Sequence, residues 1–169
     1  MKTVQEALNS INNSVGLSRQ ASAISIANDV ANNHGYYTAL LTHTGYNPAD
    51  STTYYIGASF GALPTTASGN WYSYVVPISG TVTAIYLNIN VNSTSGSSET
   101  STVSLNINNT TDYTVSSSVV HDTSVGLFSL TDQNISVTAG DKLKMKIVTP
   151  AWTTNPVGVI HSMTVFIQY

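Results

Sequence analysis

Large aliphatic residues fall at every second position in several stretches of this chain. Ile85, Leu87, Ile89 and Val91 alternate with Tyr86, Asn88 and Asn90. The spacing recurs at Val103, Leu105 and Ile107, at Leu143, Met145 and Ile147, and along Val157, Val159, His161, Met163, Val165 and Ile167. A period of two puts these side chains on one face of a strand and their neighbours on the other. The pattern predicts strands over 53–58, 71–78, 81–92, 101–108, 112–119, 125–130, 134–138, 141–149 and 157–168. Turn residues separate them at Ser79-Gly80, Ser93 to Ser98, Asn108-Asn109, Asp132-Gln133-Asn134, Ala139-Gly140-Asp141 and Pro150 to Pro156. Half-buried strands repeated at short intervals predict an antiparallel β-sandwich, here a jelly roll.

The first 33 residues follow a different rule. Val4, Leu8, Ile11 and Val15 have the 4-3-4 spacing of a short coiled-coil seam, which fails at Ser18 and Ser22. Gly16 and the pairs Asn12-Asn13 and Asn32-Asn33 lower helix propensity. The segment reads either as a frayed amphipathic helix or as an oligomerising stalk that becomes stable when copies associate, and the second is preferred. The expected organisation is a stalk or attachment segment over 1–33, a linker over 34–52 and a head domain over 53–169.

Composition narrows the function. Charged residues make up 8% of the chain, against roughly 25% in an ordinary soluble domain. Ser, Thr and Asn must therefore hydrate the surface, as in extracellular adhesive domains and virion spikes. A net charge of −3 with five Lys and Arg leaves no basic stripe for nucleic acid. The chain has no cysteine, which excludes disulfides, thiolate metal sites and a cysteine nucleophile. The N-terminus lacks the apolar run of a secretory signal, and no stretch reaches the roughly 20 apolar residues of a membrane span. No cofactor is expected, and the chain is expected not to be an enzyme. His121-Asp122 beside Thr123-Ser124 is a dipeptide rather than a triad, reads as an exposed turn, and has no Gly-x-Ser-x-Gly elbow with it.

From Val76 onward the order of features resembles a C-terminal module of phage tail-fibre and virion proteins. The residues that carry the resemblance are Val-Pro-Ile-Ser-Gly-Thr-Val-Thr-Ala (76–84), Asn-Ile-Asn-Asn-Thr-Thr-Asp (106–112), Val-Thr-Ala-Gly-Asp-Lys-Leu (137–143) and Thr-Pro-Ala-Trp-Thr-Thr-Asn-Pro (149–156). That module is similar to the trimeric jelly-roll heads of tumour necrosis factor and C1q. The resemblance implies a homotrimer on the virion exterior, in a fibre or spike, with a role in host attachment. Its partners would be copies of itself, other virion proteins through the N-terminal segment, and a host cell-surface glycan or protein. Nucleic acid and membrane insertion are not expected. The alternatives are a head-fibre or capsid-decoration protein with a mainly structural role, or a monomeric carbohydrate-binding module.

In a trimer of that kind the last strand runs from tip to base. Loop 150–156 then falls at the tip, and counting back through reversing strands adds 131–133, 108–112 and 79–81 to it, leaving 93–99, 120–124 and 139–140 at the base. The candidate contact residues are therefore Trp152, Thr153, Thr154 and Asn155, with Asn109 and Asp112. An aromatic face beside hydroxyl and amide groups suits a saccharide, although Trp152 would equally serve to close the end of the sandwich. Asn108, Asn109 and Asp112 supply hard oxygen ligands but lack the spacing of a calcium loop, so an Asn-Asn turn is preferred. His161 reads as a core histidine, with a metal or anion site on a threefold axis as the rival; otherwise no metal is expected. The tyrosines Tyr36, Tyr37, Tyr54 and Tyr55, with Trp71 and Tyr72, suit interfaces. Lys142, Lys144 and Lys146 mark either a strand with one wet face or an edge protected by charge.

Overall fold

A computed structural model describes residues 35–43, 45–58, 72–93, 98–121 and 126–169. The predicted seam of Val4, Leu8, Ile11 and Val15, and Trp71, lie outside these residues. Tyr36–Tyr169 forms one compact unit.

Among the described residues it is built of ten strands: β1 (Tyr36–Thr42), β2 (Thr53–Ile56), β3 (Tyr74–Val75), β4 (Gly80–Val91), β5 (Thr100–Ile107), β6 (Thr111–Val120), β7 (Gly126–Leu130), β8 (Ile135–Val137), β9 (Lys142–Val148) and β10 (Val159–Gln168). They form two antiparallel sheets. One has the order β1-β10-β4-β7, with β8 also on β4; the other has the order β2-β9-β5-β6, with β3 also on β9. The inward faces meet in a core that takes in the aliphatic rows read from the sequence, Ile85 to Val91, Val103 to Ile107, Leu143 to Ile147 and Val159 to Ile167. Burying one such side chain contributes about 1.5–3 kcal/mol, so these rows are what hold the sheets face to face. The antiparallel β-sandwich is thus the observed architecture.

Three predictions of detail change. The stretch read as a linker contains β1, which pairs with β10 from Tyr36↔Gln168 to Thr42↔Ser162. Its alternation is masked because Leu40 points outward between the buried Ala39 and Leu41. Secondly, β7 and β8 do not reverse. Both run antiparallel to β4, through Ile89↔Gly126, Ile85↔Leu130, Val82↔Ile135 and Gly80↔Val137. They are one strand interrupted at 131–134, where Asp132 has a φ of 56°. Thirdly, β9 lies inside its sheet rather than at an edge, so the lysines mark its outward face. Lys144 is nevertheless buried: its ammonium lies 4.9 Å from the centre of the Tyr55 ring and bonds Asn109 Oδ1.

Reading β7 and β8 as one strand shifts every earlier loop to the other end. Thr81 pairs with Gln168, so the 76–79 turn lies beside the C-terminus. The 108–110 and 138–141 turns share that end, Asn108 donating through Nδ2 to Asp141 Oδ1 at 2.8 Å. The far end holds His43, 45–52, 92–93 with 98–99, His121 and 149–158. Loop 150–156 keeps its predicted company with none of 131–133, 108–112 or 79–81.

Candidate functional site

The far end of the sandwich is assembled from loops that hydrogen-bond to one another. Thr52 N donates to Thr149 Oγ1 at 2.9 Å, and Ser51 N to Pro150 O at 2.8 Å. Gly158 N donates to Asn47 Oδ1 at 2.9 Å. Glu99 Oε1 accepts from Thr153 N at 2.9 Å and from Thr154 N at 3.3 Å. Side-chain oxygens thus tie down backbone groups that no strand pairs, which gives this irregular end a defined shape.

Trp152 does not present its ring to solvent. It is 8% exposed, its Nε1 donates to Thr100 O at 2.8 Å, and its ring stands edge-on to His121 at 5.2 Å. An indole with its polar atom satisfied inward is part of the packing, so the aromatic face proposed for a saccharide is covered. Thr153, Thr154 and Asn155 are exposed around it. A shallow groove beside the loop is lined by Thr100, Ser101, Thr102, Ser117, Val148 and Pro150, mostly hydroxyl groups.

Asn109 and Asp112 sit at the opposite end from Trp152 and form no common surface with it. Asn108 and Asn109 have φ values of 55° and 62°, and Thr110 N donates to Ile107 O at 3.0 Å. Two consecutive left-handed residues close a hairpin with the twist its strands need, and Asn tolerates that conformation. Asp112 accepts from Asn106 Nδ2 at 2.7 Å and is ion-paired with Lys146. Partial burial pushes its pKa up, but the hydrogen bonds from Lys146 and Asn106 and the Lys146 charge outweigh that and lower it. The carboxylate is therefore held by protein donors. The pair is half-exposed, so Asp112→Asn is expected to cost no more than about 1 kcal/mol in urea denaturation at pH 7. That contribution is present above the ordinary carboxylate pKa and fades as pH falls through the lowered one.

Beneath the Trp152 end lies a cluster that only folding assembles. His43, His121 and His161 are 5%, 0% and 0% exposed. Their rings form a row with Tyr46: His43–Tyr46 centroids 4.8 Å apart, His43–His161 5.7 Å and His161–His121 5.8 Å. His121, expected in an exposed turn, instead continues the inward row of β6 beyond Val119, pairing through its backbone with Ser98 and Glu99. His161 faces this interior, which removes it from any threefold axis. Burial lowers the pKa of His121 to about 4 against a small opposing effect of Glu99, and lowers that of His161 well below the usual value, with His43 and His121 adding to the effect. No group of three or more His, Asp or Glu among the described residues is placed to hold a metal ion.

The other feature is the outward face of the β1-β10-β4-β7 sheet. No Asp, Glu, Lys or Arg occurs in any of its strands, β8 included. Its outward positions include Leu40, Tyr86, Leu127 and Phe166, with Leu127 77% exposed and Tyr86 and Phe166 edge-to-face at 5.6 Å. Tyr86, Leu127, Ser129, Ser162 and Thr164 border an open groove there. The sequence signal for this face was the large apolar residues in the polar half of the alternation.

The fold and this geometry define a two-sheet β-sandwich with an uncharged sheet face that exposes an apolar cluster, and a closed, histidine-filled end. No family model and no curated protein matches the chain. Among solved structures it is similar to the crystal structure of FLHE, at 14% identity over 80% of this chain and 97% of that one, with a TM-score of 0.45.

Proposed function

We propose that the chain is the jelly-roll head of a homotrimeric phage fibre or spike, acting by multivalent attachment to a host surface. The observation that carries this reading is the exposed cluster of Leu127, Tyr86 and Phe166 on the uncharged outward face of the β1-β10-β4-β7 sheet. A sheet face left open in water is normally polar, whereas an exposed cluster such as Leu127, Tyr86 and Phe166 suits a surface that copies of the chain cover. The strand orders support the jelly roll, since β1, β10, β4 and β7 in one sheet face β2, β9, β5 and β6 in the other.

Attachment would fall to the far end. Tyr36 pairs with Gln168, so the sandwich begins beside its own C-terminus and a head mounted there presents the opposite loops. Thr153, Thr154 and Asn155, with the neighbouring hydroxyl-lined groove, offer hydrogen-bonding groups to a glycan or protein. Three weak sites on one axis raise avidity far above the affinity of one.

Light scattering on the full chain tests the assembly. A mass three times that of the chain is expected, falling to the single-chain value for Leu127→Asp combined with Phe166→Asp. A single-chain mass for the unaltered protein would remove the trimer and leave a solitary sandwich.

A further inference from the structure

We infer that the buried histidine row is an acid-responsive latch that holds the 45–52 loop onto β10 at the far end of the sandwich. The hydrogen bonds at His43 carry the argument. The β1–β10 ladder ends at the pair Thr42↔Ser162. The next backbone donor, His161 N, bonds His43 Nε2 at 3.0 Å, and beyond it Tyr46 and Val159 exchange backbone bonds of 3.1 and 2.8 Å. An imidazole nitrogen thus occupies a rung between two backbone pairings.

Accepting from a backbone N–H requires a lone pair on Nε2, which places any proton of neutral His43 on Nδ1. The same Nε2 lies 3.4 Å from His161 Nδ1. His161 Nδ1 must then carry its ring's proton, which leaves His161 Nε2 a bare lone pair. That atom has no hydrogen-bond partner among the described residues, and neither has His121 Nδ1 or Tyr46 Oη. The row is therefore assembled in its neutral form. A proton on His43 Nε2 would set one donor against two others, the His161 backbone N–H and the Nδ1–H. A proton on His161 or His121 would place a cation in the core.

Several described groups face the row. Tyr46 and Tyr54 pack on the His43 side, their rings 5.2 Å apart, and Ala49 N donates to Tyr54 Oη at 2.8 Å. Burial and Tyr54 raise the pKa of Tyr46, so it stays neutral in acid. Ser101 Oγ lies 3.2 Å from His121 Nε2, and Trp152 covers that ring. Glu99 is the charged group near His121, and its oxygen is already shared by Thr153 and Thr154. On β4 the partner of His161 is the apolar Ile89. Asp122, next to His121, lies outside the described residues. His121 and His161 make no hydrogen bond to a carboxylate among the described residues, and burial outweighs the opposing charge of Glu99 at His121.

The unfolded chain takes up protons near the ordinary histidine pKa, whereas the folded row resists them. Stability is accordingly full above about pH 6.5 and is lost as pH falls toward the depressed folded values. Between pH 6.5 and 5.5 each imidazole that gains a proton only on opening multiplies the opening constant about fivefold, so two give about thirtyfold.

Proton NMR of the full chain from pH 8 to 4.5, paired with amide hydrogen exchange at His161, tests the latch. At least three of the four histidine ring signals should keep their neutral positions to below pH 5.5. Exchange at His161 N should accelerate about thirtyfold between pH 6.5 and 5.5, after correction for intrinsic rates, while Leu105 N on the opposite sheet stays protected. Three or four rings titrating near pH 6.5 with no change in exchange would overturn the proposal, as would His161 and Leu105 accelerating together, which would mean whole-domain unfolding. His43→Gln supplies a second reading: its amide oxygen can accept from His161 N without titrating, so the variant should lose about fivefold of the acid acceleration. A variant that folds and keeps the full acceleration would overturn the role of His43.

Discussion

Trp152→Ala is expected to lower the stability of the sandwich by about 3–5 kcal/mol, the range for removing a buried aromatic ring. The ring is nearly inaccessible and closes the end where β5, His121 and the 149–158 loop meet. Its removal opens a cavity over His121 and leaves Thr100 O without its indole donor, a group that costs about 1–3 kcal/mol when buried and unpaired. Urea denaturation monitored by far-ultraviolet circular dichroism measures the loss. Trp152→Phe separates the two effects, since it keeps most of the volume and drops only the N–H; its cost is expected to be the smaller. A loss below about 1 kcal/mol for Trp152→Ala would mean that the ring is not sealing the core. Reduced attachment by that variant would accordingly not identify a contact residue. Substitutions at Thr153, Thr154 and Asn155, which expose their side chains, are the ones that report on binding.

Gly57→Ala is expected to cost at least about 3 kcal/mol, the upper end of overpacking penalties. A Cβ at Gly57 would lie 1.4 Å from Tyr72 O and 2.2 Å from its carbonyl carbon. Ala58 N donates to that same oxygen at 2.7 Å, so the two backbones are held together where the new atom would go. The obstacle is backbone rather than a side chain that could rotate away. The melting temperature should fall by roughly 10 °C, given about 2–8 °C per kcal/mol for domains near this size. Gly45→Ala provides the control: its Cβ would meet Ile160 Cγ1 at 3.5 Å, an ordinary contact, and the change is expected to stay within about 0.5 kcal/mol. Equal losses in the two variants would rule out close approach at Gly57 as the cause.

The two predictions concern features of different legibility. Trp152 between two prolines was visible as a special residue, and both its roles, contact and closure, were open from the sequence. What decided between them was the position of Thr100 O and His121, residues 52 and 31 positions away that reach the ring only through the sandwich. Gly57 carried no signal of its own, because the carbonyl it accommodates belongs to a separate stretch of chain. The histidine row is of the same kind. His43, His121 and His161 are far apart in sequence, and His121 beside Asp122 reads locally as a polar turn. The row exists because β1, β6 and β10 end at the same side of the sandwich.

By itself the sequence determined the class of fold and most of the strands, because a period of two in burial is a local property that each segment displays alone. It also determined that the β1-β10-β4-β7 sheet would carry no Asp, Glu, Lys or Arg, since those residue types are absent from the segments concerned. The tertiary structure decided which end each loop occupies. Local pattern cannot separate a reversal from a kink, and the left-handed Asp132 within 131–134 joins β7 to β8 along one edge of β4. That one continuity put Asn109 and Asp112 at the end opposite Trp152. It is a matter of pairing register with β4, a contact between segments 37 to 57 residues apart.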